Sequence, residues 1–162
     1  YLEGSGNNKA VEIYNPTDDV LSLDGCAVAV YANGADEATG TIVLEGDALA
    51  VGAGGTYVLC NPRAGDALLE ACNQTNGGLS FNGDDAVALI CGGVTLDVIG
   101  QIGDRPDDQW SSGEVGTQNN TLRRSCDVES GDADGSDAFD PAAQWTAHGQ
   151  DAFDGLGSHC AD

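Results

Sequence analysis

Apolar residues recur at every second position over several short stretches of this chain. In "CAVAVYA" Cys26, Val28 and Val30 share one side, and in "AVALIC" Val87, Leu89 and Cys91 do the same. A two-residue period is that of a β-strand with one face buried. Further strands are expected at "AVEIY" (10–14), "VLSL" (20–23), "TIVL" (41–44), "TYVLC" (56–60), "LSF" (79–81), "VTLDVIGQIG" (94–103) and "TLRRS" (121–125). Turn-forming clusters such as "NPTDD", "ANGAD", "GAGG", "NGDD" and "CGG" separate them, the pattern of a sandwich or barrel. Helix has little room, with one turn expected in "ALLEAC". The last forty or so residues carry aromatics without alternation, and read as an irregular wrap anchored by Phe139, Trp145 and Phe153.

Composition narrows the function more than the fold. The 162 residues suit one domain spanning 1–162. A formal charge of −22, with Lys9, Arg63, Arg105, Arg123 and Arg124 as the only Lys and Arg, disfavours direct nucleic-acid binding, which rests on cations neutralising phosphates. The acidity reads first as a solubility surface. No run approaches the roughly 18 apolar residues of a membrane span, so membrane insertion is not expected.

The six cysteines, Cys26, Cys60, Cys72, Cys91, Cys126 and Cys160, are far apart and accompanied by two histidines only, a poor set for zinc. Three disulfides in an oxidising compartment are expected instead. Cys60 and Cys72 bracket a short excursion that a bridge would close, and Cys126 with Cys160 would tie down the C-terminal region. Cys26 and Cys91 remain, and both fall on strand faces predicted to be buried.

The opening "YLEGSGNNKAVEIYN", with "LSFNGDDAVALI", "LDVIGQIGD", "NNTLRR" and "GSDAFDPAAQW", resembles bacterial members of the lamin-tail domain family, in family order from Glu3 to about His159. The resemblance implies an all-β, immunoglobulin-like β-sandwich serving as an accessory module of secreted or surface proteins, extracellular nucleases among them. It brings no catalytic residues. It also implies a short strand before Tyr1 that this chain lacks, so the "NNKAVEIYN" strand is expected to expose unpaired backbone on a sheet edge. A chain boundary, proteolytic maturation and a strand donated by a neighbouring subunit are the three explanations.

In "SGDADGSDAFD", Asp132, Asp134, Asp137 and Asp140 lie close enough to converge on calcium, although no glutamate completes an EF-hand loop; Asx-turns in a solvated acidic loop are the structural alternative. In "NGDDAVAL" a buried Asp bonded to backbone amides would mark the fold rather than a ligand. Alternation puts Arg123 and Arg124 on opposite strand faces, one paired with acidic groups and the other solvated. Ser158, His148 and His159 do not make a nucleophile elbow, since "GLGSH" lacks its form, and no enzymatic activity is expected. The expected function is a non-catalytic extracellular adhesion or assembly module at the cell surface. Its partner would be protein, either a surface component or a further copy joined by strand addition into a homo-oligomer. The alternatives are an accessory domain of a secreted hydrolase such as a nuclease, and a calcium-dependent glycan-binding module.

Overall fold

The computed structural model describes residues 1–160. It is all-β, as the alternation predicts, with two main sheets and two short ribbons. One sheet has six strands. In chain order these are β1 (Leu2–Glu3), β2 (Lys9–Tyr14), β7 (Thr56–Cys60), β8 (Gln74–Thr75), β13 (Asn120–Arg124) and β14 (Trp145–Ala147), arranged β14-β13-β1-β2-β7-β8. The other has four: β4 (Cys26–Tyr31), β5 (Gly40–Val43), β9 (Ala86–Cys91) and β10 (Val94–Ile99), arranged β10-β9-β4-β5. The ribbons pair β3 (Leu21–Ser22) with β6 (Ala50–Val51) and β11 (Ser111–Ser112) with β12 (Val115–Gly116).

The main core lies between the sheets, where Val28, Val30, Ile42, Val87 and Ile99 meet Tyr1, Tyr57, Leu59 and Leu122. A second cluster covers the outer face of the six-stranded sheet: Leu2, Ala10, Val58 and Cys60 pack under Leu68, Phe153 and Leu156. That second layer explains why β7 is apolar at successive positions, Tyr57 to Cys60, where a one-sided strand would alternate.

All three disulfides form as the spacing suggests. Cys26 and Cys91 are directly opposite each other in the β4–β9 ladder with Cα atoms 4.0 Å apart, the close approach of a non-hydrogen-bonded pair. Cys60–Cys72 pins the short helix α1 (Asp66–Leu69) onto the outer cluster. Cys126–Cys160 holds the C-terminal strap.

Several expectations change. Leu79 and Phe81 are buried as strand residues would be, yet no strand forms there, because the segment closes local turns, Leu79 N–H to the Asn76 carbonyl and Ser80 N–H to the Gly78 carbonyl. The C-terminal wrap is less irregular than its sequence: Asp140 caps the helix α2 (Pro141–Gln144) by accepting from the Ala142 N–H, and β14 then joins the sheet. The three predicted anchors do pack inward, Phe139 and Trp145 on the main core and Phe153 on the outer one. Finally, β2 is not a sheet edge. It lies inside the six-stranded sheet, between β1 and β7, and its unpaired stretch borders an internal gap.

Candidate functional site

The gap follows from β1 having two residues where its neighbours have five and six. Leu2 and Glu3 pair with Ala10 and Lys9 on one side and with Thr121 and Asn120 on the other. Tyr1 extends this by one exchange with Leu122, donating from its terminal nitrogen at 3.1 Å and accepting at 2.8 Å. Beyond Tyr1 the β2 residues Glu12 and Tyr14 and the β13 residue Arg124 continue, and no described residue pairs with them from the space between.

Hydrogen-bond alternation shows which groups face that space. Lys9 and Asn15 bond toward β7, so Ala10, Glu12 and Tyr14 present N–H and C=O to the other side. On β13, Thr121 and Ser125 bond toward β14 and its flanks and Leu122 toward Tyr1, which leaves Arg124 facing the gap. Where β1 runs between them, β2 and β13 stand two strand spacings apart, about 9.6 Å.

Its inner side opens into a cavity of about 480 Å³ between the sheets, floored by Val11, Ile13, Leu89, Val98 and Leu122. Leu21 and Leu96 line its mouth and are 41% and 44% exposed, an apolar rim on an acidic protein. Arg124, 14% exposed at its side chain, closes one end by a two-pronged contact to Asp97 at 2.5 and 2.8 Å, with its guanidinium 4.4 Å from the Trp145 ring centre. On the outer side the strap covers the gap. There Gly157 N–H donates to Glu12 at 2.6 Å, the His159 ring packs tilted by 58° against Tyr14 with centres 4.5 Å apart, and Asp154 pairs with Arg123 at 2.6 Å. Arg123 and Arg124 thus do lie on opposite faces, and both find carboxylates; the solvated partner expected for one of them is an exposed ion pair.

Burial sets the electrostatics here. It pushes the Glu12 carboxyl upward against the opposing Gly157 hydrogen bond, and it lowers the Tyr1 ammonium to about 6, against the pull of Glu12 upward. A cation whose folded pKa lies below the unfolded value of 8.0 destabilises the fold once it protonates. Its stabilising share is complete above pH 8 and is lost as the pH falls through 8 toward 6. His148 and His159, both lowered first by burial, act in the same direction. The free energy of unfolding, read from denaturant titrations, is accordingly expected to rise between pH 6 and 8, by an amount on the order of 2–3 kcal/mol for the terminal group, and acetylating the Tyr1 nitrogen should flatten the rise. A flat profile in the unmodified chain would contradict this.

The acidic loop does not assemble. Asp132 accepts from the Asp134 N–H at 3.1 Å, Asp134 from the Ser136 N–H and hydroxyl at 3.1 and 2.6 Å, and Asp140 caps α2. Asp137 and Asp140 border a smaller cavity beside Arg124. Among the described residues, the one group of three or more metal-capable side chains with ligand atoms in mutual reach is Cys126, His159 and Cys160, and its two sulfurs are joined in a disulfide. Ser158 bonds the Gly155 carbonyl at 3.5 Å, with no hydrogen bond to either histidine. Asp85 is the buried, amide-bonded carboxylate that "NGDD" suggests: it accepts from the N–H groups of Asn33 and Asn82, both at 2.7 Å.

Sequence reasoning missed Asp97 as the partner of Arg124 and Glu12 as the wall of the gap. The available signal was a charged residue at an inward position of a strand, Asp97 in "VTLDVI". Among the described residues no helix is long and apolar enough to cross a membrane. No family model, curated protein or solved structure matches the chain.

Proposed function

We propose that this chain is a non-catalytic, extracellular module of lamin-tail type, immunoglobulin-like in architecture, that assembles with protein partners, further copies of itself included. The observation that carries the reading is the exposed apolar rim of Leu21 and Leu96 at the mouth of the cavity between the sheets, on an otherwise strongly acidic protein. Three disulfides support an oxidising, extracellular setting.

Light scattering on the disulfide-intact chain tests this. A mass above 16.4 kDa that grows with concentration, whether calcium is added or removed, is expected. A strict monomer that is also not retained by intact cell surfaces overturns the reading.

A further inference from the structure

We propose that the Cys126–Cys160 bridge is a thiol-exchange site: a neutral or cationic thiol, free or carried on a polypeptide, becomes covalently attached at Cys126, with His159 as the proton acceptor. The step is stoichiometric, and it goes beyond the assembly reading without depending on it.

Access separates this bridge from the other two. Cys26 and Cys60 are 2% and 0% exposed, their partners Cys91 and Cys72 are half-buried, and both pairs belong to the packed clusters. Cys126 and Cys160 are both exposed and belong to neither cluster. A thiolate must reach a sulfur directly to displace its partner, so exposed disulfides are the labile ones.

The imidazole is the second distinction. A ring nitrogen of His159 and the two sulfurs lie within 4.8 Å of one another, and among the described residues no other bridge has a histidine or carboxylate in such reach of both its sulfurs. The ring is held against Tyr14. Imidazole exchanges protons near neutral pH, and the reactive form of a thiol is its thiolate. His159 can therefore take the proton of a thiol seated at the bridge.

The incoming sulfur bonds to Cys126 Sγ, the Cys126–Cys160 bond breaks, and its electron pair leaves on Cys160 Sγ. The thiol's proton passes through His159 to that thiolate. One disulfide replaces another, so no outside oxidant or reductant enters. Cys126 is the sulfur attacked because it sits in the exposed turn after β13, closed by the Val128 N–H on the Ser125 carbonyl, whereas Cys160 follows the packed His159 on the strap. With the bridge open, Gly157 on Glu12 and the buried contacts of Phe153 and Leu156 still seat the strap, and Cys160 stays at hand for the reverse step.

Charge selects the thiol. The chain carries −22, and Asp127 and Glu129 beside Cys126 are exposed, so an anionic thiol is repelled. The two nearby cations do not offset this, since Arg123 is paired with Asp154 and Arg124 with Asp97.

The probes are cysteamine, the peptide acetyl-Lys-Cys-Lys-amide and glutathione, each added to the dilute, disulfide-intact chain. Acid quenching, alkylation of free thiols and peptide mass mapping then locate every adduct. A mixed disulfide at Cys126 with Cys160 alkylated is expected to form about tenfold or more faster than either other bridge opens. Relative to each probe's rate on a small reference disulfide, both cationic probes are expected to outrun glutathione, and their own order tells a free thiol from a polypeptide cysteine as the natural source. His159→Gln is expected to slow thiol attack about fivefold or more while leaving reduction of the same bridge by a phosphine, which has no thiol proton to lose, at the parent rate. Another bridge opening comparably fast, or no adduct at Cys126, overturns the site. Equal slowing of the thiol and phosphine reactions overturns His159 as the proton acceptor, and glutathione reacting fastest overturns the charge selection. Each outcome is read on dilute chain by mass, so a failure of the assembly reading leaves it unchanged.

Discussion

Replacing Lys9 by methionine is expected to cost about 3–5 kcal/mol of stability, the range for removing one partner of a buried ion pair. Lys9 and Glu3 are 8% and 6% exposed at their side chains and form a direct ion pair, and Lys9 also donates to the Gly4 carbonyl at 3.0 Å. The other Glu3 oxygen accepts from the Asn119 main-chain N–H. Lys9→Met therefore strands a carboxylate on the inner face of the six-stranded sheet, beside Tyr1, with one neutral donor left to it. A companion variant separates the pair's worth from the penalty of an orphaned charge: Lys9→Met combined with Glu3→Gln keeps an acceptor for Asn119 and removes the charge, and is expected to recover most of the loss. Urea denaturation of both variants measures this, and a single-variant loss below about 1 kcal/mol would contradict the role assigned to the pair. The consequence reaches the gap, because Glu3 and Lys9 hold β1 between β2 and β13, and β1 sets their separation.

The second large effect is expected from removing the Cys26–Cys91 bridge. It closes 65 residues of sequence, and chain-entropy reasoning places such a loop near about 4 kcal/mol. The double variant Cys26→Ala with Cys91→Ala avoids leaving a free thiol. Its ladder should survive, since the β4–β9 pairing continues residue by residue to Tyr31 and Ala86. The expected outcome is a lower denaturation midpoint with unchanged exchange at Tyr14 and Arg124, because the bridge lies in the four-stranded sheet and the gap in the other. A variant as stable as the parent chain would contradict the entropic account.

Much of the fold is legible from local pattern. β7 and β9 lie where the alternation and the apolar run place them, and the three cysteine pairs follow from spacing and strand face. What escapes is structure whose cause is distant. β1 has two residues, too few for a period, and is a strand because Lys9, Ala10, Asn120 and Thr121 flank it. Leu79 and Phe81 show the reverse: their burial was readable, but Asn61, donating to the Leu79 carbonyl at 3.0 Å, holds that segment as a latch. The acidic run between Asp132 and Asp140 suggested convergence, and local turns and a helix cap took up its carboxylates first, as short Asp side chains near free amides commonly do. The candidate site itself has no contiguous signature. Its banks come from β2 and β13, its floor from the opposite sheet and its cover from the strap, so only the assembled topology exposes it.

The central claim is that the chain assembles with protein through the exposed apolar rim of Leu21 and Leu96, and the most direct measurement is light scattering over a concentration series of the disulfide-intact chain beside its Leu21→Glu, Leu96→Glu double variant. A mass that rises above 16.4 kDa with concentration in the parent chain and stays that of a monomer in the variant is expected. A strict monomer in both, or equal growth in both, would contradict the account.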